Sequence, residues 1–262
     1  MDISKFYIGE DEKPLDNLVC DGGFAAIFRT IGVIGDSLAS GEFESKNEGI
    51  TGYHDFYEYS WGQYMARTLG CTVHNFSRGG MTAKEFNDSF GVTCGAYGYE
   101  KLCQAYIIAL GVNDCARFSE LGNPESAYSE RLTPENNQAF LNNYASIIKR
   151  IKAKQPDAKF FLVTMPCCTY RSEEEEKKRD LWCEGIRQLA SKFKNTYLID
   201  LRKYGPVYDE KFHETFFLGH MRATGYLLTA KMMCSYIDYY IRKYPDDFAE
   251  VGFIGTQYKY KR

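Results

Sequence analysis

Four short blocks in this 262-residue chain carry groups suited to acyl transfer, and they lie far apart along it. The first is Gly35-Asp36-Ser37-Leu38. A serine just past an apolar run, after a glycine that permits a tight turn, exposes its hydroxyl and becomes a nucleophile when a base stands beside it. Taken alone, Gly-Asp-Ser is equally a plain turn in which Asp36 or Ser37 caps the next element. It is not the G-x-S-x-G elbow of α/β-hydrolases. The second block is Asn75-Phe76-Ser77-Arg78-Gly79-Gly80, whose paired glycines let the backbone approach a ligand and turn free N–H groups toward an anion. The third, Gly111-Val112-Asn113-Asp114, offers a carboxamide that can donate to a developing oxyanion. The fourth places His220 just ahead of a helical pattern, where the helix dipole disfavours the imidazolium and leaves a neutral base. Each block has an ordinary structural explanation when taken singly. In combination, each solves a different part of one reaction.

Hydropathy shows which strands and helices hold these blocks in place. Short, β-rich runs that are apolar at consecutive positions fall at residues 31–34, 72–76, 106–110, 159–164 and 196–199. Such runs read as strands buried on both faces, the mark of a parallel sheet. Between them lie helical patterns. One runs through Trp61, Tyr64, Met65, Thr68 and Leu69 and stops at Gly70. Another begins at the N-cap and first-turn pair Thr133-Pro134 and carries Phe140, Leu141, Tyr144, Ile147, Ile148 and Ile151 on one face. Ser172 and Glu175 have capping-box spacing, and the acidic run 173–176 suits a helix start. A last helix covers about 223–244 and ends before Pro245. Five strands alternating with helices predict right-handed crossovers and a three-layer α/β/α sandwich with a five-stranded parallel sheet. In such sheets reactive groups gather at the carboxyl ends of the strands, where three of the four blocks fall.

Composition removes several classes of function. A net charge of -3 provides no basic stripe for nucleic acid, and the apolar runs are too short to span a membrane. The N-terminus has acidic residues where a signal peptide needs a basic segment, and the 9 cysteines form no CxxC pair or regular framework. The expectation is a cytoplasmic protein with reduced thiols. The four histidines have no metal-ligand spacing, so neither a metal nor a cofactor is expected.

Together the four blocks resemble those of the GDSL, or SGNH, hydrolase superfamily, named for a Ser, Gly, Asn and His. Ser37 in Gly-Asp-Ser-Leu, Gly80 five residues after Asn75, Asn113 in Gly-Val-Asn-Asp, and His220 five residues before Gly225-Tyr226 carry the resemblance, which spans about residues 31–240. It implies a flavodoxin-like sandwich and ester hydrolysis through an acyl-serine. Ser37 would be the nucleophile and His220 the base, with the N–H groups of Ser37 and Gly80 and the side chain of Asn113 forming the oxyanion hole. One position departs: the family usually has an Asp three residues before the histidine, and Phe217 stands there. An acid that fixes the imidazole tautomer is worth roughly 10⁴ in rate in the Ser-His-Asp template. Three accounts are open. A main-chain carbonyl near Phe217 receives the imidazole N–H, Glu214 or Asp209 loops in, or the site is degraded; the rigid apolar stretch 216–218 favours the first. Asp36 and Asp114 are expected to make structural hydrogen bonds at their turns.

The substrate expected is a small-molecule or glycan ester with a short acyl group, O-acetyl above all. The aromatic segment 52–61 comes after the nucleophile turn and could wall a sugar site, although a chain with 21 Tyr and 18 Phe puts rings everywhere and Trp61 reads as helix core. Arg78, Arg117 and Arg222 lie close to motif residues and are either substrate-recognising or ordinary surface cations. His54 could reach the pocket, whereas His74 and His213 read as structural. The alternatives are a lysophospholipase or thioesterase of the same superfamily, and a non-catalytic glycan-binding descendant. One domain is expected over 1–262, with 1–28 as an N-terminal extension and 246–262 as a tail packed on the domain. A homodimer contact through that tail stays open.

Overall fold

The computed structural model describes residues 3–117 and 120–260. All five expected strands form: β1 (Thr30–Gly35), β4 (Thr72–Ser77), β5 (Ala105–Ala109), β6 (Lys159–Val163) and β7 (Thr196–Ile199). They pair in parallel in the order β4-β1-β5-β6-β7. Counted within the sheet this is 2-1-3-4-5, the flavodoxin-like order, in which the direction of winding reverses beside β1.

The consecutive apolar residues divide between two faces because a strand alternates its side chains. Ile31, Val33, Ile107, Phe161 and Ile199 face one core with Trp61, Met65, Met233 and Ile237. Ile34, Phe76, Tyr106, Ile108, Phe160 and Leu162 face the other with Tyr144, Ile147, Ile148, Trp182 and Ile186. The first core is covered by helices Trp61–Leu69 and Ala223–Lys243, the second by Phe140–Lys152 and Glu173–Lys192. The Ser172/Glu175 capping box is present in full. Thr133-Pro134, expected to start a helix, instead enters a turn, and the helix begins at Phe140 with Ala139 as an uncapped N-terminus. Asn136 explains the difference: its Oδ1 accepts from the Thr133 N–H at 2.8 Å, a side-chain turn that competes with helix continuation.

The N-terminal segment is tied to the long helix through Val19 N–H on Ser235 Oγ (3.0 Å), Phe24 N–H on Asp238 Oδ1 (2.7 Å) and an Arg242–Glu12 ion pair. Phe248, Val251 and Ile254 of the C-terminal tail are buried in the first core. An antiparallel hairpin that the hydropathy did not reveal leaves the end of the nucleophile turn. Its strands are β2 (Glu42–Asn47) and β3 (Ile50–Asp55), closed by Glu48 and Gly49, both at positive φ as a two-residue hairpin loop requires. A second small hairpin, β8 (Phe217–Leu218) with β9 (His220–Met221), carries the histidine. No helix among the described residues is long and apolar enough to cross a membrane.

Candidate active site

Asp36 is the N-cap of the short helix Ser37–Ser40, accepting from Leu38 N–H at 3.1 Å, which sets Ser37 on the first turn at the carboxyl end of β1. Ser37 is half-buried, and its hydroxyl makes no hydrogen bond among the described residues. Burial pushes the Asp36 carboxyl up to about 6, against the opposing pull of the Leu38 N–H and the His220 imidazole. Asn113, in the helix Val112–Arg117 after β5, donates from Nδ2 to the Met81 carbonyl at 3.2 Å and to Asp36 Oδ2 at 3.4 Å. Its neighbour Asp114 accepts from Ala83 N–H at 2.8 Å, tying the third block to the segment just past Gly80. Asp114 is buried, and that burial pushes its carboxyl up to about 7. Gly80 holds φ +70, a conformation open to glycine at little cost. The two aspartates therefore stitch the serine, glycine and asparagine blocks into one rim.

The histidine reaches this rim by another route. Arg222 closes the β8–β9 turn by donating from its N–H to Phe216 O (2.8 Å) and from Nε to Phe217 O (2.9 Å). The Phe217 carbonyl is thus engaged by Arg222. Asp209 caps the helix Glu210–Phe216, and Glu214 is exposed on that helix. None of these three groups bonds to His220. The imidazole faces β2 instead: Nε2 lies 2.9 Å from Glu42 Oε1, and Nδ1 lies 3.7 Å from Glu44 Oε2. Nδ1 is buried without a hydrogen bond. The ring of Tyr53 on β3 meets the imidazole edge-on, centroids 5.6 Å apart. Glu42 is itself a buried carboxylate whose pKa burial raises while His220 pulls it down. Its backbone is anchored by Tyr226, whose hydroxyl donates to Glu42 O at 2.5 Å from the long helix. Ser37 and His220 make no hydrogen bond to one another, and the group nearest Nε2 is the Glu42 carboxylate.

Beneath the rim lies a cavity of about 70 Å³ with almost wholly apolar walls. Asp36, Leu38, Val112 and Met221, the chain neighbours of Ser37, Asn113 and His220, line it together with Met165, Pro166, Tyr208 and Met233. Three motif residues thus have neighbours on one small void.

The remaining candidates separate clearly. His54 bonds to Ser45 Oγ across the hairpin at 2.8 Å and lies exposed. His74, on the edge strand β4, and His213, stacked on Phe217, both have pKa values lowered chiefly by burial. Arg78 covers the Phe90 ring. Arg117 stands against Gly80, with Nη2 3.0 Å from where a Cβ would be, and lies 3.8 Å from Glu85. From the aromatic segment, Trp61 is core, Tyr57 bonds the Val73 carbonyl, and Tyr53, Phe56 and Tyr59 are exposed.

Sequence reasoning missed Glu42 and Glu44. The available signal was the alternation Glu42-Phe43-Glu44-Ser45, which puts both carboxylates on one face of a strand and Phe43 on the other, against Tyr226.

A parallel sandwich of this order, with a serine, a glycine turn, an asparagine and a histidine brought to its carboxyl rim, is the SGNH hydrolase fold. The chain belongs to the GDSL-like lipase/acylhydrolase family, whose family model matches residues 33–228. Solved structures similar to it include the psychrotrophic esterase EstA from Pseudoalteromonas sp. (16% identity, 81% of this chain and 98% of that one, TM-score 0.54). A family two carbohydrate esterase from Clostridium thermocellum, solved with cellohexaose, has 16% identity over 84% of this chain and 65% of its own, TM-score 0.58. The acetyl xylan esterase AlAXEase has 17% identity over 79% and 98%, TM-score 0.52. At these identities the likeness is one of fold. No curated protein matches the chain in sequence.

Proposed function

We propose that this protein is a serine esterase that removes short acyl groups, O-acetyl above all, from carbohydrate alcohols. Ser37 Oγ attacks the ester carbonyl while His220 Nε2 takes its proton. The oxyanion is held by the N–H groups of Ser37 and Gly80 and by Asn113 Nδ2. His220 then protonates the leaving alcohol, and a water activated by the same ring hydrolyses the acyl-serine.

The observation that carries this reading is the convergence of the Ser37 and Asn113 turns and Met221, next to His220, on one apolar cavity of about 70 Å³. A small apolar void beside these turns suits an acyl group of a few carbons, which favours acetyl-type esters over lysophospholipids. For the alcohol, the exposed ring of Tyr53 beside the histidine offers a face on which a sugar can stack. The carbohydrate esterases among the similar folds agree with that choice.

The test is turnover of p-nitrophenyl esters from acetyl to octanoyl and of acetylated oligosaccharides, in wild type, Ser37→Ala and His220→Ala. The reading expects hydrolysis that falls with acyl length and is lost in both variants. Turnover that survives Ser37→Ala, or rises toward octanoyl, refutes it. Sugar binding without turnover would support the glycan-binding alternative.

A further inference from the structure

We propose that strand β2 supplies a two-carboxylate clamp for the base, in which Glu44 is the positioning residue of His220 and Glu42 is a latch on Nε2 that must withdraw before Ser37 can be deprotonated. This rests on the esterase reading above, for it assigns roles within that site.

Residues 42 and 44 point to the same face of β2, and each stands beside one ring nitrogen: Glu42 Oε1 is 2.9 Å from Nε2, and Glu44 Oε2 is 3.7 Å from Nδ1, just beyond hydrogen-bond reach. Both carboxylates are seated on glycine. A Cβ on Gly219, which holds φ +73, would collide with Glu44 Oε2, and a Cβ on Gly79 would collide with Glu42 Oε2. The two seats differ in place. Gly219 belongs to the histidine's own turn, on the side of the ring away from the reaction, so Glu44 can stay there throughout turnover. Gly79 precedes the Gly80 N–H, so Glu42 lies between the oxyanion turn and the imidazole, where an ester must enter.

The whereabouts of the ring proton give the roles. To take the Ser37 proton as the Oγ–carbon bond forms, Nε2 must carry no proton and Nδ1 must carry the ring's one. Glu44 is the carboxylate that stands beside Nδ1, which is buried without a hydrogen bond, and a small shift of either group would let the Nδ1–H donate to it. It stands in for the acid missing at Phe217, supplied by a different element. Glu42 at Nε2 favours the opposite tautomer and holds the ring in a resting state. The other groups facing the imidazole are Tyr53 from β3 and Asp36 from the nucleophile turn.

The experiment compares wild type, Glu44→Gln, Glu44→Asp and Glu42→Ala. Three readouts are used: kcat and KM on p-nitrophenyl acetate, the rate at which a small fluorophosphonate labels Ser37, and the ¹⁵N signals of the His220 ring. The expected result for Glu44→Gln is a kcat about tenfold or more lower with KM nearly unchanged, slower labelling, and a ring proton displaced from Nδ1. Glu44→Asp should recover part of the loss. Glu42→Ala should label faster than wild type, since the latch is gone. Full kcat in Glu44→Gln, or slower labelling in Glu42→Ala, overturns the assignment. Should Glu44→Gln fail to fold, Gly219→Ala displaces the same carboxylate without altering it. If wild type neither hydrolyses the ester nor labels, the esterase reading has failed. The ring signals then decide the clamp alone: movement in both variants supports it, and unmoved signals overturn it.

Discussion

Gly219→Ala separates a role in orienting the base from a role in holding the fold. The new methyl group would meet the Glu44 carboxylate and nothing of the backbone so close, so the neighbour that must yield is the free end of a flexible side chain. The steric cost to stability is therefore small, and the main penalty is the left-handed backbone at φ +73. A residue with a Cβ loses about 1–2 kcal/mol there. In a chain of this size that lowers Tm by about 2–8 °C. The functional cost follows a different scale. The carboxylate is pushed from its seat beside Nδ1, and an orienting acid is worth up to about 10⁴ in rate. With Glu44 displaced but still near, the expected loss is about 10- to 100-fold in kcat, with KM within about twofold. Thermal unfolding by circular dichroism and p-nitrophenyl acetate kinetics on one preparation read both quantities. A variant that melts a few degrees lower yet turns over at the wild-type rate would show that the Glu44 seat on Gly219 has no part in positioning the imidazole.

Three further outcomes are expected. Asn113→Ala should lower kcat on the same ester by about 10² to 10³, because the proposed mechanism gives its Nδ2 to the oxyanion, and unchanged turnover would remove it from that role. Tyr226→Phe leaves the Glu42 carbonyl without its 2.5 Å donor in a buried position, and should destabilise the fold by about 1–3 kcal/mol in urea titration. An unchanged urea midpoint would refute that role for the hydroxyl. Asp114 has a folded pKa of about 7, raised by burial above its unfolded value, so the folded state binds the extra proton. Its contribution to stability is then greatest below about pH 4 and is lost as pH rises through 7, falling by up to about 1.4 kcal/mol for each pH unit crossed. Asp36, raised to about 6, acts in the same direction. Urea midpoints at pH 5 and pH 8 should therefore converge in Asp114→Asn relative to wild type, and an unaltered difference would refute the linkage.

The sheet was legible because its strands are buried on both faces, so each wrote a continuous apolar run into the chain with ends correct to within about two residues. The motif blocks were legible for a related reason: parallel strands deliver their carboxyl ends to one rim whatever the loops do. Thr133-Pro134 misled because a strong local helix signal lost to an equally local turn made by Asn136. The hairpin was hidden because its strands are mostly exposed, and because a Glu-Gly loop lacks the usual Asn-Gly or Asp-Gly signature.

The partner of His220 belongs to the tertiary structure alone. Apolar patterning and turn chemistry are local properties, and they suffice to put a serine, a glycine turn, an asparagine and a histidine at the ends of their elements. Which carboxylate meets the imidazole depends on a strand from near the start of the chain lying against a turn from near its end, held by Tyr226 and admitted by two glycines that leave room for it. No periodicity records such a meeting, because the energy that selects it comes from contacts between segments that hydropathy reads one at a time.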